Sequence, residues 1–384
     1  MFTNLGDPIP NGMLWVNDDG TIERVLSPED TDYHSEDAEF LEGWLVPGFV
    51  NTHCHLELSH LKGKIQEHTG LNGFVSELMK IRGADDSLRF KAQQAADEEM
   101  HQSGIVAVAD ICNGNSTFEV KKNSPIHYHS LIERFGFKTE TAELIFREGL
   151  TLLEELNQQP GNICLHAPYS ASIALQKLVK QHLNEASSGF YSIHHTESEA
   201  EIALFRDGSG EMANRMRGWG LFENEFPYTA MRPVDYLLEN FPNNKNILLI
   251  HNTFSNAEDL EKLQYLRDRL YFGLCPRANL YIENQLPKIE LLRNSNHYIT
   301  IGTDSLASNY NLGMLEEIFT IQQHFPEIPI TELFKWSSWN GAKLMGLDKT
   351  MGHFSLGSKP GIVQILHVDN TNKKITSKSF SRLI

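Results

Sequence analysis

Basic residues are scarce beside acidic ones in this 384-residue chain, with 33 Lys and Arg against 50 Asp and Glu and a formal net charge of −17. Neutralising phosphates needs the opposite balance, so nucleic acid and anionic membrane surfaces are not expected partners. Long hydrophobic runs are also lacking: no stretch reaches the roughly 18 unbroken apolar residues of a membrane span. The opening Met1-Phe2-Thr3-Asn4-Leu5-Gly6-Asp7-Pro8 has neither the basic nor the apolar region of a secretory signal, and the expected compartment is the cytoplasm. Cysteine is limited to Cys54, Cys112, Cys164 and Cys275, with no Cys-x-x-Cys pair. That spacing indicates neither a disulfide framework nor a cysteine zinc site, so these read as reduced, mostly buried thiols. There is no internal repeat, low-complexity tract or flexible linker; the length suits two average domains or one large barrel with an appendage.

What the chain does have is an apolar run, Val46-Pro47-Gly48-Phe49-Val50, that ends in Asn51-Thr52-His53-Cys54-His55. In an extended segment alternate side chains share a face, so His53 and His55 point one way and Cys54 the other. Two imidazoles so placed can close on one transition metal ion, although a lone His-x-His is as often a pair of ordinary histidines.

Further short apolar runs recur at Gly104 to Cys112, Ile126 to Phe135, Asn162 to His166, Phe190 to His194, Asn246 to His251, Leu270 to Cys275 and His297 to Asp304, mostly with helix-like segments between them. With the first run there are eight, the number that closes a (β/α)8 TIM-type barrel. A doubly wound sheet fits the same alternation, but the polar residues at the strand ends favour the barrel, whose site lies at the C-terminal mouth. Those ends carry His53 and His55, Asp110, Glu133, His166, His194 with Glu197, His251, and Asp304. Convergence on a metal accounts for them together. Helices are expected at 73–81, 88–102, 313–324 and 331–346, and a hairpin at 12–26 around Asn17-Asp18-Asp19-Gly20. The stretch 198–240 reads as a lid or wall of a substrate pocket, or as a plain surface loop. Gly357-Ser358-Lys359-Pro360-Gly361 precedes the strand-like Ile362 to Leu366, so β structure at the two ends of the chain could pair.

His53, His55, His194 and Asp304 supply three imidazoles and a carboxylate, a set suited to Zn²⁺ and also to Fe²⁺ with a position left for water. Such an ion lowers the pKa of its water toward ~7. Glu197, three residues past His194, is placed to shuttle protons, and His251 to orient the water. A solvated carboxylate is the alternative for Glu197, since Glu199 and Glu201 follow it.

Taken together, Pro47-Gly48-Phe49-Val50-Asn51-Thr52-His53-Cys54-His55, Ile193-His194-His195-Thr196-Glu197-Ser198, Leu249-Ile250-His251-Asn252, Cys275-Pro276-Arg277-Ala278-Asn279-Leu280 and Gly302-Thr303-Asp304-Ser305 resemble, in order, the signature blocks of the amidohydrolase superfamily. They are most similar to its branch of aminopurine, adenosine-type and chlorotriazine hydrolases. The resemblance implies a (β/α)8 barrel over 46–346 and a small β-sandwich from 1–45 plus 347–384. It also implies one divalent metal on His53, His55, His194 and Asp304, Glu197 as general acid and base, His251 beside the attacking water, and a homodimer. His166, in His166-Ala167-Pro168-Tyr169-Ser170, matches a histidine that contacts substrate. No lysine lies in Asn162 to His166, where two-metal members carry a carboxylated one, so a single ion is implied. Two departures stand out: Lys359-Pro360-Gly361-Ile362 replaces the usual Ala-Asp pair, and His195 replaces an apolar residue.

Within that branch Glu197 favours a deaminase over a halide hydrolase, since dechlorinating relatives often carry glutamine there. The run His55-Leu56-Glu57-Leu58-Ser59 is similar to the His-Leu-Glu-Phe-Ser run of 6-aminodeoxyfutalosine deaminases, which marks Glu57 as a substrate-binding candidate. An adenine nucleoside derivative is the implied substrate, with a cyclic-amide hydrolase or a non-catalytic scaffold as rivals. Arg277 could hold a substrate carboxylate through its planar fork, or make a structural salt bridge at the rim.

Overall fold

The computed structural model describes residues 1–34, 36, 38–221 and 229–383. Eight apolar runs form parallel strands whose residues are buried on both faces, as strands sandwiched by crossover helices must be. Ahead of them lie β1 (Met13–Val16), β2 (Ile22–Leu26) and β3 (Trp44–Pro47). One four-stranded parallel sheet contains β4 (Phe49–Cys54), β5 (Ile105–Cys112), β6 (His127–Arg134) and β7 (Gly161–Leu165), paired in that order. A second contains β8 (Tyr191–His195), β9 (Ile247–His251), β10 (Leu270–Leu274) and β11 (Tyr298–Ile301).

The two sheets meet at both ends. Thr303 N and Asp304 N each donate to His53 O at 3.0 Å, and His55 N donates to Asp304 O at 3.3 Å, so the end of β4 is stitched to the chain just past β11. Gly302 permits that approach, because a Cβ there would lie 2.8 Å from His53 O and 2.9 Å from His53 N. On the far side His194 N donates to His166 O at 2.9 Å, joining β8 to the end of β7.

The remaining strands lie outside this frame. β12 (Ile362–Leu366) pairs antiparallel with both β3 and β13 (Phe380–Leu383), and β1 and β2 form the expected hairpin. Segments from the two ends of the chain therefore do pair. Phe2 packs edge-on against Trp44 and Phe334, tying the N-terminus to the helical layer.

Helices at Gly70–Ile81, Asp86–Gln102 and Met314–His324 match their sequence expectations to within three residues. The helix expected at 331–346 is broken into Ile330–Phe334, a π turn at Lys335–Trp339, and Asn340–Met345. There the Ser337 and Ser338 hydroxyls both donate to Phe334 O, competing with the backbone ladder. The 198–240 stretch is largely helical, at Glu199–Asp207, Gly210–Gly218 and Pro233–Leu237, and its residues 222–228 lie outside the described residues. Its Leu204, Phe205, Met212 and Met216 pack with Leu61, Phe74 and Tyr281 into a second apolar cluster. The described part is thus a packed wall rather than a free loop.

Candidate active site

Every strand of both sheets delivers a polar side chain at or just past its C-terminal end, except β10, whose following turn opens on Cys275-Pro276-Arg277. His53 and His55 leave the end of β4 on one face, and their Nε2 atoms stand 3.2 Å apart. Asp304 Oδ1 lies 3.6 Å from His53 Nε2 and 3.5 Å from His55 Nε2. The other carboxylate oxygen of Asp304 accepts from Ser308 Oγ at 2.5 Å, which fixes Oδ1 toward the histidines. His194 presents Nδ1 to His166 O at 2.7 Å, so its Nε2 is the nitrogen left to accept. The ring nitrogens of His53, His194 and His251 also fall within 4.8 Å of one another.

This donor set fits a divalent ion. Two imidazole nitrogens at 3.2 Å in a buried pocket face each other with a proton or a cation between them, since two lone pairs repel. A carboxylate oxygen and a third imidazole close the same space. His55 is the least covered of these four side chains, and His53, His194 and Asp304 are buried.

Glu197 follows β8 in the turn before the helix Glu199–Asp207, and its Oε1 lies 3.5 Å from His251 Nε2. Burial, then the charges of Asp304 and Glu201, raise its carboxyl well above the ordinary range. It is therefore not a solvated surface group. Burial holds His251 down at about 3, so that ring is neutral. Glu201 anchors the turn, accepting from Glu197 N at 2.9 Å, while Ser198 Oγ caps the same helix by accepting from Glu201 N at 3.2 Å.

Of the substrate-binding candidates, His166 is half-buried, with Nδ1 at 2.9 Å from Ser170 Oγ and its ring 5.0 Å from that of His194. Glu57 is buried and accepts from Asn113 N at 3.0 Å through Oε2. Arg277 opens the helix Pro276–Glu283; its Nη1 donates to Asn311 Oδ1 at 2.6 Å and its guanidinium lies 5.4 Å from the Tyr310 ring centroid. An amide and a ring hold the side chain, while its backbone N donates to Glu317 Oε2 at 3.0 Å, so a carboxylate also stands beside it.

Asp110 does not join the metal cluster expected of all the polar strand ends. Its Oδ1 accepts from Leu56 N at 2.7 Å and its Oδ2 meets Lys121 Nζ at 2.5 Å, both fully buried. His195, unexplained from sequence, points away from His194 by strand alternation, and its Nδ1 lies 3.1 Å from Asn252 Oδ1 between β8 and β9. Sequence reading missed Asn113, which bridges Glu57 and Glu133. Only its position just past β5 could have pointed to it.

The sequence profile of the amidohydrolase family matches residues 44–378. This chain belongs to the amidohydrolase family. Among curated relatives of this amidohydrolase, the adenosine deaminase of Helicobacter pylori is 25% identical over 320 residues, spanning 81% of this chain and 76% of that one. The aminodeoxyfutalosine deaminase of a Nitratiruptor species is 26% identical over 312 residues, 78% of this chain and 71% of that one. In three dimensions the amidohydrolase resembles Helicobacter pylori aminofutalosine deaminase crystallised with methylthio-coformycin, with a TM-score of 0.76 and 22% identity over 94% of this chain and 88% of that one. That likeness is one of fold.

Proposed function

We propose that this amidohydrolase is a hydrolytic deaminase that releases ammonia from an aminated heterocycle, an adenine nucleoside derivative of the aminodeoxyfutalosine type being the substrate class favoured. The supporting observation is the buried Glu197 carboxyl, raised in affinity for protons and 3.5 Å from a neutral His251, beside a convergent three-histidine, one-aspartate cluster. Its relatives' names point the same way.

In this reading the two parallel sheets form one closed (β/α)8 barrel over 46–346, and 1–45 with 347–384 form a small β-sandwich. His53, His55, His194 and Asp304 hold one divalent ion, zinc or iron. Such an ion, when bound, makes water a nucleophile near neutral pH. Glu197 Oε1 takes one proton from water and passes it to a ring nitrogen as the C–O bond forms, then takes the second from the added hydroxyl and gives it to the amine as the C–N bond breaks, so water plus the amine give the carbonyl product and ammonia. His251 Nε2 holds the water in line with the ring carbon. His166 and Glu57 line the pocket beside His194 and His55, and Arg277 faces the substrate's far end.

The deciding measurement is ammonia release by zinc-loaded protein across adenosine, 5'-deoxyadenosine, S-adenosylhomocysteine, aminodeoxyfutalosine, a pterin and a chlorotriazine. Release from the adenine nucleosides is expected. Chloride release from the triazine with no ammonia from any nucleoside would overturn the deaminase reading.

A further inference from the structure

We propose that Glu57 and Glu133 form one acceptor subsite for a pair of hydroxyl groups on the substrate, a vicinal diol such as a ribose carries, with Asn113 holding the two carboxylates in register. The inference rests on the nucleoside reading above for the choice of probes. Asn113 spends its backbone N–H on Glu57 Oε2 at 3.0 Å and its side-chain amide on Glu133 Oε2 at 2.8 Å, so the two carboxylates flank a single residue. Each keeps its second oxygen, Oε1, buried and without a hydrogen-bond partner among the described residues. Glu133 is 3 % exposed and Glu57 9 %. An unpartnered buried carboxylate oxygen costs free energy unless something donates to it, and two such oxygens need two donors.

The surroundings select the donor. Glu133 Oε1 lies 3.7 Å from His194 Nδ1, whose proton is already committed to His166 O, so the histidine leaves that oxygen unsatisfied. The rings of His166 and His194 stand beside Glu133, the ligand atoms of the three residues lying within 4.8 Å of one another. Hydroxyls satisfy such oxygens without bringing a further charge into a buried site, where ions are costly to desolvate. A second metal ion on Glu133, His166 and His194 is the rival occupant, since their ligand atoms converge in this way, and the zinc count separates it from the diol.

Adenosine and 2',3'-dideoxyadenosine separate the possibilities on the unaltered enzyme, so no variant has to fold for the first test. The zinc-loaded wild type is expected to prefer adenosine in kcat/KM by at least about tenfold, the value of a hydrogen bond to a charged acceptor. Glu133→Gln, which keeps shape but turns one acceptor partly into a donor, is expected to collapse that preference toward unity. Equal handling of the two nucleosides by wild type, or an undiminished preference in Glu133→Gln, overturns the proposal. Two zinc ions per wild-type chain, with one lost in Glu133→Gln, would overturn it in favour of a second metal site. Equilibrium binding of inosine and 2',3'-dideoxyinosine is measured in parallel: if no ammonia is released from any nucleoside while inosine still binds at least tenfold more tightly, the deaminase reading falls and the diol site stands; equal binding overturns the site.

Discussion

Thr196 sits at φ +45°, His251 at +69°, Asn252 at +56° and Asp304 at +56°, a left-handed backbone at four positions on three of the strand ends. Asn and Asp tolerate that region, but for a β-branched threonine it is an outlier, and such positions cost about 1–3 kcal/mol each unless their surroundings over-determine them. The surroundings do so here. Thr196 Oγ1 is bonded to Ser255 Oγ at 2.7 Å, Asn252 N to His195 O at 3.0 Å, and Asp304 N to His53 O at 3.0 Å. Beside these positions Glu197 Oε1 and His251 Nε2 stand 3.5 Å apart, and the proposed chemistry hangs on that one carboxyl. Glu197→Gln keeps the shape and removes the proposed proton carrier, and general acid-base groups contribute on the order of 10² to 10⁴ in rate. A fall in deamination kcat of at least about 10² is expected, with zinc content near wild type. Near-wild-type turnover by zinc-replete Glu197→Gln would remove it from the role assigned; loss of zinc along with activity would make it a ligand instead.

At the scale of elements, the turn that carries His55 and Glu57 is fastened by a buried ion pair. Asp110 at the end of β5 holds Leu56 N, and Lys121, from the helix Phe118–Asn123, meets Asp110 and also donates to Ser130 Oγ at 3.1 Å and Cys112 Sγ at 2.8 Å. Burial acts against the Lys121 ammonium, yet Asp110 and Cys112 leave its pKa raised, so the pair is charged. Removing one partner of such a pair leaves an uncompensated buried charge and costs about 3–5 kcal/mol. Lys121→Met is therefore expected to lower unfolding free energy by that amount in urea denaturation, and Asp110→Asn in the same chain to recover part of it; a Lys121→Met protein as stable as wild type would show the pair to be dispensable. None of this was legible in the sequence, where Lys121 is one lysine in a Lys121-Lys122 pair and Asp110 one more polar strand end. What was legible came from periodicity and spacing. Strand runs located every parallel strand to within a few residues, and alternation put His53 and His55 on one face. Long-range partnerships, such as Asn113 between two glutamates or Glu201 reaching back to Glu197 N, leave no local pattern, and the serine hydroxyls that open a π turn at Lys335–Trp339 look like ordinary helix surface.

Across the whole molecule, the stitch between β4 and the segment past β11 makes the proposed metal site and the joint between the two sheets the same structure. His53 supplies a ring nitrogen to the cluster and its carbonyl to Thr303 N and Asp304 N, while Asp304 returns its carbonyl to His55 N. A ligand that binds only the folded chain stabilises it by RT ln(1 + [L]/Kd), about 2.7 kcal/mol at a hundredfold excess over Kd. Zinc bound at the proposed site would tie the first strand of one sheet to the last of the other, so its stabilisation should appear as resistance to global unfolding rather than as local ordering. One zinc ion per chain is expected by elemental analysis after chelation and reloading, together with a Tm that rises with free zinc. Asp304→Ala, which removes a ligand while leaving the backbone bonds of the joint in place, should lose both the bound ion and the zinc-dependent rise. Should its Tm climb with zinc as the wild type's does, the ion is held elsewhere and the four-residue set assigned here is wrong; two tightly held ions per wild-type chain would instead defeat the single-ion assignment.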